Sequence, residues 1–479
     1  MEAHVKSRGY ISAPITVALL MFAFPVAAAE PFAYAVDFVS TVADGRAMNK
    51  RVATGIRYVL PPGCTPFTCL AELEAVVWQD SKVELLPILD AFPTVLPVGI
   101  SARKWVAGSD PTITSSGVHA IVWKPAHRDY RTIDLGVLPE MTSSWAAGID
   151  DQNRVAGWSS TGGAIPDKTA PFVWTPEAGM VNLLPQGFPN EVPLAISRGG
   201  TVATTDHWYM LDNPGSVTAL APPPKGFSGP GTYPASINNV GNQARFLIST
   251  GAEHLPYLFR YDHAGTWKQI WDLPAGTLAP FGIGSINEAG DITATVGGVG
   301  LVAYGPNGVA EPLSAKLSPA YGGGVGADTT IVAEADTINE SGQILAQVLI
   351  GRSPRLVRLI PTAHCQDNCI HVAGIAMTGK MIGNNCTEDA FDRVRSTISV
   401  VDENGTAVAN ARVSGRFLDD YYLDEAVSGR TDANGDVTFK HKGLACVGAI
   451  AFLVEKVNKK GSTLDFTIGE LADYVIPQP

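Results

Sequence analysis

The chain has 479 residues, of which only 17% are charged, and its formal net charge at pH 7 is −12. This acidic balance argues against a nucleic-acid binder, because such proteins neutralise phosphates with clustered Lys and Arg. Apolar residues make up 46% of the chain, which argues against global disorder, and the length predicts two or three domains.

Residues 1–29 have the features of a secretory signal peptide. Lys6 and Arg8 precede an uncharged apolar stretch, 11–26, and the small residues 27–29 follow it. A membrane anchor is the alternative, but the stretch is shorter than the ~20 residues of a spanning helix. No later segment is long and apolar enough to span. We therefore expect export to the periplasm, the cell surface or the medium, and no membrane span in the mature chain.

One pattern recurs along residues 30–361. A small residue and an apolar residue precede an Asn- or Asp-containing turn, and a second apolar strand follows, as in 148–157. The apolar anchors of the copies, at intervals of 41 to 52 residues, are Met48, Ile100, Ile149, Ile196, Ile237, Ile286 and Ile338. Repeats of this length indicate a modular fold whose units pack against their neighbours.

Each unit has a second half in which a strand ending in an aromatic residue leads to another strand. Trp78, Trp123 and Trp174 end these strands in the clearest copies. Four short strands in each unit predict an all-β fold, a β-propeller of about seven blades. A string of β-sandwiches and a β-solenoid are the alternatives. The recurrence of the tryptophans at one position predicts packing between blades rather than an exposed carbohydrate platform.

The two ends of the repeat region complement each other. The last unit ends near Pro361 and lacks its final strand, while residues 33–39 resemble that strand. Propellers avoid an unpaired edge by closing the ring with a strand from the other terminus. We therefore predict that residues 33–39 pair with the strand near 355–360.

The combination of apolar-Asn-x-x-Gly, Ala-x-x-Trp and Asp-Leu-Gly resembles the HAF extracellular repeat family of bacterial proteins. The resemblance covers residues 31–361 and is strongest at 99–136 and 147–184. It implies an exported protein and no established catalytic residues. The copy at 190–220 departs from the pattern, because it lacks the Ala-x-x-Trp and Asp-Leu-Gly signals.

The six cysteines suit an exported protein that contains disulfides. We expect Cys64 to pair with Cys69, because the two flank a short turn. The other four allow three pairings, which the sequence cannot decide; our hypothesis is Cys365 with Cys369 and Cys386 with Cys446. Zinc is the alternative at 365 and 369, where His371 is near, but the spacing does not match a zinc finger.

Residues 362–390 interrupt the repeats and are predicted to form a cysteine-containing linker. Residues 391–479 contain short strands and hairpin turns, which predict a small β-sandwich. The segments 400–415 and 431–439 resemble the immunoglobulin-like modules appended to bacterial exported enzymes and adhesins. The resemblance implies a spacer or binding module, with no chemistry of its own.

Sequence motifs for catalysis are absent or incomplete. Residues 374–380 match Gly-x-x-x-x-Gly-Lys, but Met381 stands where a phosphate loop needs Ser or Thr. Asp432, Asn434 and Asp436 alternate as calcium ligands do, but the Gly and the acidic twelfth residue of a calcium loop are misplaced. The sequence therefore predicts no catalytic residue, cofactor-binding residue, cofactor or metal site.

Two main functions remain open, and a surface structural or adhesion component, which only the appended module suggests, is a third. The leading hypothesis is a non-enzymatic binding or surface-interaction protein that takes an extracellular glycan or protein on a propeller face, with no nucleic-acid partner. The alternative is a hydrolase or lyase that acts on extracellular polysaccharide or peptide in the channel. Converging carboxylates with a perturbed pKa at the channel would favour the enzyme. A channel without such groups, or an apolar channel, would favour a binding protein.

Overall fold

A computed structural model describes most of the chain after residue 32. The described ranges are 33–40, 43–49, 52–59, 72–79, 82–87, 96–114, 117–127, 129–161, 168–188, 191–228, 235–250, 255–271, 281–321, 330–350, 353–381, 391–419, 424–442 and 450–475. The predicted signal peptide lies outside them. No helix in these ranges is both long and apolar enough to cross a membrane.

Strand β1 (Ala33–Ser40) precedes the first complete four-stranded sheet. The described residues up to Thr362 form seven antiparallel sheets, and six of them use consecutive strands. The first two contain β2 (Ala43–Met48), β3 (Val52–Val59), β4 (Glu72–Gln79) and β5 (Lys82–Leu85), then β6 (Leu96–Ile100), β7 (Val106–Thr114), β8 (Gly117–Ala126) and β9 (Asp129–Asp134). The third and fourth contain β10 (Ser143–Ile149), β11 (Val155–Ser160), β12 (Thr169–Thr175) and β13 (Gly179–Asn182), then β14 (Pro193–Ile196), β15 (Thr201–Thr204), β16 (His207–Met210) and β17 (Asn213–Ala219).

The remaining sheets continue the same order. The fifth and sixth contain β18 (Ala235–Ile237), β19 (Gln243–Ile248), β20 (Pro256–Tyr261) and β21 (Trp267–Trp271), then β22 (Phe281–Ile286), β23 (Ile292–Val296), β24 (Val299–Ala303) and β25 (Glu311–Pro312). The seventh contains β26 (Thr330–Ile338), β27 (Ile344–Ile350), β28 (Ser353–Thr362) and β1. Three short 3-10 helices lie at Leu184–Gln186, Leu313–Lys316 and Pro319–Tyr321.

The first strands of the seven sheets surround a central channel. Each contacts the first strand of the next sheet, and β26 of the seventh sheet contacts β2 of the first, so the contacts close a ring. Every predicted apolar anchor is the last residue of one of these first strands. The fold is therefore a β-propeller, and the repeat frame inferred from the sequence is confirmed.

The predicted closing strand is also confirmed. Strand β1 pairs antiparallel with β28, with Ala33 opposite Thr362 and Val36 opposite Leu359. The Arg358 guanidinium donates to the Asp37 carboxylate on the neighbouring strand, and its Nε lies 3.0 Å from Oδ2. Residues from opposite ends of the repeat region thus complete the seventh sheet.

A β-bulge recurs in the first strands. We call the residue after each apolar anchor the polar anchor: Asn49, Ser101, Asp150, Ser197, Asn238, Asn287 and Asn339. In the first, second, third, fourth and seventh sheets, the pairing register skips the third residue before the polar anchor. A bulged residue leaves the ladder and its side chain is re-aimed, which is why bulges occur beside functional sites.

The C-terminal residues form two facing sheets of a β-sandwich. One sheet has the order β33 (Asp436–Lys442), β30 (Phe391–Asp402), β29 (Cys369–Met381) and β35 (Thr463–Leu464). The other has the order β32 (Asp424–Arg430), β31 (Arg412–Asp419), β34 (Ile450–Asn458) and β36 (Ala472–Val475). The Phe439 and Phe452 rings stack across the two sheets with centroids 5.6 Å apart.

Strand β29 lies inside the segment 362–390, which the sequence analysis predicts to be a linker. Ile370 and Val372 are buried in the sandwich core, but the register shifts between Val372 and Gly374. This bulge interrupts the alternation of apolar and polar residues by which a strand is recognised in a sequence. Residues 369–381 therefore belong to the sandwich in the structure.

The sandwich packs on the propeller, and Phe32–Pro479 form one compact unit. The Arg416 guanidinium lies 4.4 Å from the centre of the Phe38 ring on the closing strand. The Leu471 N–H donates to the Ala320 carbonyl oxygen at 2.6 Å. The fully buried Arg355 donates to the backbone oxygen of Asp419. These contacts join the sandwich to the seventh sheet, where the ring closes, and to the 3-10 helix that precedes that sheet.

Candidate functional site

The polar anchors lie at one end of the channel, and the side-chain amides of the four asparagines among them donate hydrogen bonds to the next sheet. The Asn238 amide donates to the Asn287 carbonyl oxygen, and the Asn287 amide donates to that of Asn339, both at 3.2 Å. The Asn339 amide donates to the Asn49 carbonyl oxygen at 3.2 Å, and the Asn49 amide donates to that of Ser101 at 3.0 Å. The repeated asparagines therefore hold neighbouring sheets together.

Arg198 spans this end of the channel. It follows the polar anchor of the fourth sheet, and its Nη2 donates to the carbonyl oxygen of Met48, on the first sheet, at 3.1 Å. Its Nη1 lies 3.9 Å from Asp151 Oδ2. Burial and the neighbouring Glu340 raise the pKa of Glu288 at the same end, and Arg198 opposes that rise. The side chain thus links two sheets that lie far apart in the ring.

A cavity of about 250 Å³ opens further along the channel, beside the first strands of three consecutive sheets. The sheets that contribute are the sixth, the seventh and the first, so the cavity lies where the ring closes. Its lining consists of Gly45, Arg46, Gly282, Ile283, Gly284, Thr295, Glu334, Ala335 and Asp336. A second cavity of about 20 Å³, beside Trp78 and Arg358, has room for little more than one water.

Two cavity-lining carboxylates converge with that of the adjacent Asp44. Gln347 Nε2 donates to Asp44 Oδ1 at 2.9 Å and to Glu334 Oε2 at 3.0 Å. The Tyr58 hydroxyl donates to Asp44 Oδ2 at 2.7 Å, and the Arg46 guanidinium lies 3.9 Å from the same oxygen. Asp44 and Glu334 are therefore fixed in position.

The third carboxylate, that of Asp336, differs from these two. Its Oδ2 is fully enclosed, although the residue as a whole keeps some solvent contact, and the Gly45 backbone N–H and the Arg46 guanidinium stabilise the charged form of this carboxyl group. Burial raises the pKa of Asp336 well above its ordinary value, and Glu334 and Asp44 raise it further. Burial and Asp44 also raise the pKa of Glu334. Asp336 is thus a carboxyl group that favours its protonated form.

Two glycines give the cavity its space. A Cβ placed on Gly282 would meet no atom within 4 Å, so this position faces open space. A Cβ on Gly284 would lie 2.4 Å from Thr293 Oγ1 and 2.5 Å from the Asp336 carbonyl oxygen, so only glycine allows this approach to β26. The first glycine leaves the cavity open, and the second brings its walls together.

The sequence predicts no catalytic residue, because these three carboxylates match no local motif. The repeat frame contains the signal that could have found them. The third residue before the polar anchor is, in chain order, Arg46, Val98, Ala147, Leu194, Ala235, Gly284 and Asp336. The two charged residues of this set face the cavity. The fifth residue before the anchor is likewise acidic at Asp44 and Glu334 and is glycine at Gly282.

The structure joins Cys365 to Cys369 in a disulfide, as predicted, with an S–S distance of 2.07 Å. The other candidate disulfide residues, Cys64, Cys69, Cys386 and Cys446, lie outside the described residues. Zinc at Cys365 and Cys369 is therefore wrong, because bonded sulfurs are not thiolate ligands. Among the described residues, no three His, Cys, Asp or Glu side chains are placed to hold a metal ion.

The remaining near-motifs have structural explanations. Residues 374–380 lie inside strand β29, so they form no phosphate loop. Asp432 Oδ1 accepts from the backbone N–H groups of Asn434 and Asp436, at 2.8 and 3.0 Å, in a hairpin turn. Asp402 makes the same contacts with Asn404 and Thr406. The acidic pattern at 432–436 therefore stabilises a hairpin turn, and Asp402 stabilises another turn of the chain in the same way.

The aromatic residues divide into two groups. Trp78, Trp123 and Trp174 are buried between sheets, which confirms the predicted packing role. Trp145 and Trp158 are half-buried and stack on each other, with centroids 5.7 Å apart. Trp145 occupies the fifth position before its polar anchor, the same repeat position as Asp44 and Glu334. An aromatic surface therefore lies at the level of the acidic cavity, on a different sheet.

No family model matches the sequence, and no curated protein matches it. Solved structures match at low identity. A streptogramin B lyase matches with 8% identity and a TM-score of 0.39, over 70% of this chain and 100% of that one. A gluconolactonase from Xanthomonas campestris matches with 10% identity and a TM-score of 0.32, over 70% and 95%. An exo-β-1,3-galactanase from Phanerochaete chrysosporium matches with 10% identity and a TM-score of 0.25, over 80% and 94%.

Proposed function

We propose that this chain is an exported hydrolase that acts on an extracellular polysaccharide in the channel cavity. The observation that supports it is the convergence of Asp44, Glu334 and Asp336 beside a cavity, with the pKa of Asp336 raised well above its ordinary value. A carboxyl group that stays protonated beside a second carboxylate is the arrangement that acid-catalysed glycoside hydrolysis requires. The three converging carboxylates therefore favour an enzyme over a binding protein whose channel has no such groups.

In this proposal Asp336 is the general acid. Its carboxyl proton passes to the glycosidic oxygen as the bond between that oxygen and the anomeric carbon breaks. A water molecule adds its oxygen to the anomeric carbon and gives up a proton to the second carboxylate, that of Asp44 or Glu334. Proton transfer between the carboxyl groups then restores the starting state, and the overall change is the addition of one water.

The charge of the cavity favours a hydrolase over a polysaccharide lyase. Lyases of this kind act on uronic acid units, whose carboxylates need cationic partners. Around the cavity, the described charged residues comprise three carboxylates and the single guanidinium of Arg46. A uronate would be repelled there. A neutral or cationic sugar unit would not be.

The test is a reducing-end assay of the mature protein against a panel of neutral, cationic and uronic polysaccharides. We expect turnover that Asp336→Asn lowers by about 10²–10⁴-fold, the usual contribution of general acid catalysis. Glu177→Gln is the matched control, because Glu177 is exposed in the turn between β12 and β13. Absence of turnover on every polymer, or full activity of the Asp336→Asn variant, would overturn the hydrolase.

Binding without turnover is the second candidate. Gln347 fixes both Asp44 and Glu334, and Tyr58 also holds Asp44, so these carboxylates are placed as rigid recognition groups. A glycan and peptide array with the purified mature chain tests this role. Specific binding of a ligand that the protein does not turn over would favour the binding protein.

Export and family membership are further parts of the proposal. The apolar stretch within residues 1–29 supports a signal peptide, and the recurring anchors support a HAF-type repeat protein. The hairpin turns of 391–479 support an immunoglobulin-like module that acts as a spacer or binding module. N-terminal sequencing of the exported protein tests the first point: a start near Glu30 is expected, and an intact Met1 would contradict it.

A further inference from the structure

Five cations lie together on the sandwich sheet that contains β33, β30 and β29. We call them the basic face: Lys380, Arg393, Arg395, Lys440 and Lys442. Arg393 lies opposite Lys380 on one neighbouring strand and opposite Lys442 on the other, and Arg395 lies opposite Lys440. Opposite residues of an antiparallel pair, and alternate residues of one strand, point to the same side of a sheet. The five side chains therefore share one surface.

This surface is the outer side of the sheet. Four of the five cations are exposed, and Arg393 is half-buried. Val394 and Phe439, which alternate with them along the strands, are buried in the core of the sandwich. The basic face is thus open to solvent over the described part of the sheet.

The charges of the basic face are not compensated within the described part of the chain. None of the ion pairs among the described residues involves these five cations. The Nε of Arg393 is enclosed and donates to no described residue. Like charges that lie directly opposite each other destabilise a sheet. The chain keeps this repulsion although its net charge is −12, and an anionic ligand would relieve it.

The side chains around the cations favour a polysaccharide over a membrane or a nucleic acid. Thr378 lies opposite Arg395, and the next row contains Thr397 and Thr438, whose hydroxyl oxygens are 3.0 Å apart. Hydroxyl groups both donate and accept, so they can bind the hydroxyls of a sugar. The described side chains of these rows include no aromatic or large apolar group. Such groups are what membrane-surface helices insert into lipid and what single-strand binders stack on bases.

The spacing of the cations suits a polymer with repeated acidic groups. Opposite residues have Cβ atoms about 5 Å apart, and successive rows of one face follow each other at about 7 Å. Several acidic groups of one polymer can therefore be bound at the same time, and linked contacts strengthen each other. The two arginines lie on the central strand, and a guanidinium can bind a carboxylate with two parallel hydrogen bonds.

We propose that the basic face binds an acidic polysaccharide outside the cell. This inference rests on the binding role proposed for residues 391–479, names the class of ligand, and is independent of the hydrolase. The acidic groups contact Arg393, Arg395 and the lysines beside them, and sugar hydroxyls contact the threonines of the next row. The sandwich thereby holds the protein on an acidic matrix, and the channel acts on a different polymer.

The test is calorimetric titration of the mature protein with polygalacturonate, with dextran sulfate and with neutral dextran. We expect both acidic polymers to bind, with an affinity that falls as ionic strength rises, and dextran not to bind. Lys440→Glu places a carboxylate opposite Arg395 and so neutralises a second cation. It should lower the affinity for both acidic polymers by about tenfold or more.

A matched control and a folding control accompany this variant. Lys456→Glu makes the same change of charge on β34 of the other sheet, where Lys456 is exposed, and should leave the affinity unchanged. Lys440→Glu replaces a pair of like charges by a pair of opposite charges, so its melting temperature should not fall. Thermal denaturation thus separates a loss of binding from a loss of folding.

Each outcome has a separate meaning. Failure of both acidic polymers to bind, or equal affinities of Lys440→Glu and Lys456→Glu, overturns the inference. Tighter binding of phosphatidylglycerol vesicles or of double-stranded DNA overturns the assignment to a polysaccharide. Loss of binding in Asp336→Asn but not in Lys440→Glu would place the ligand in the channel and overturn the basic face. Binding of dextran alone supports a binding module and contradicts the acidic ligand. Binding of the acidic polymers by a protein that hydrolyses no polysaccharide supports the inference and contradicts the hydrolase.

Discussion

The side-chain amide of Asn339 donates to the backbone carbonyl oxygen of Asn49 at 3.2 Å, and these residues are 290 positions apart in the chain. Each belongs to the turn that follows the first strand of its sheet. Asn339 Oδ1 also accepts from the backbone N–H groups of Ser341 and Gln343 within its own turn. One side chain therefore shapes a turn of the last sheet and joins that sheet to the first.

Replacement of this asparagine should destabilise the propeller. Asn339→Ala removes the bond across the closure and leaves buried backbone groups without partners, so we expect a loss of about 1–3 kcal/mol in the free energy of unfolding. Urea denaturation measures it. Asn404→Ala, in an exposed turn of the sandwich, is the control and should change stability by less than about 0.5 kcal/mol. Equal stability of the two variants would contradict the role of Asn339.

The two glycines of β22 should respond differently to the same change. Gly284→Ala places a methyl group 2.4 Å from Thr293 Oγ1 and 2.5 Å from a backbone oxygen, so we expect a loss of about 1–3 kcal/mol. Gly282→Ala meets open space and should leave stability unchanged within about 0.5 kcal/mol. Thermal denaturation of both variants checks this, and a larger loss at Gly282 would show that the walls of the cavity are misplaced.

Asp336 should make stability depend on pH in an unusual direction. Because its pKa is raised in the folded state, the folded protein holds this proton at pH values where the unfolded chain has lost it. The contribution of this residue to stability is therefore greatest below the unfolded pKa of about 3.9 and falls as pH rises toward the folded value.

Asp336→Asn removes this ionisation. We expect its melting temperature at pH 8 to exceed that of the parent by about 2 °C or more, and the difference to shrink as pH falls toward 4. Thermal melts across this range measure the effect. Glu177→Gln serves again as the exposed control. A variant that is less stable than the parent at pH 8 would show that the Asp336 carboxylate is well compensated in the folded protein.

The disulfide between Cys365 and Cys369 closes a very short loop. By the chain-entropy relation, a loop of this size contributes roughly 2 kcal/mol, less than a long loop would. The double variant Cys365→Ser and Cys369→Ser should lose about that much in urea denaturation. The strand that follows, β29, lies in the core of the sandwich, so the loss should appear in the unfolding of that module. No change in the denaturation midpoint would contradict this prediction.

The scaffold was predictable from the sequence because its physical requirements repeat. Several of these turns use a residue whose short side chain accepts from the backbone N–H four positions later, and Asn, Asp and Ser do this at Asn339, Asp150 and Ser197. These residues recur after each apolar anchor, so the ends of all the first strands could be identified. The unpaired last strand likewise indicated its partner, β1.

The candidate site was not predictable by motif. Asp44 and Asp336 are separated by almost the whole repeat region, and they meet only because the ring closes between β26 and β2. No spacing along the chain encodes such a meeting. The charged residue at a bulge where other copies have small or apolar residues is visible in the sequence, but the bulge itself becomes evident only from the strand register.

Closure of the ring has a consequence for the order of folding. The first strand of the described chain, β1, has its partner in β28, so the ion pair between Asp37 and Arg358 joins residues 321 positions apart. During synthesis, β1 keeps an unpaired edge until the residues up to Thr362 have left the ribosome. Contacts of such long range form slowly. We expect this seam to form last in folding and to open first in partial unfolding, which makes it the kinetic weak point of the molecule.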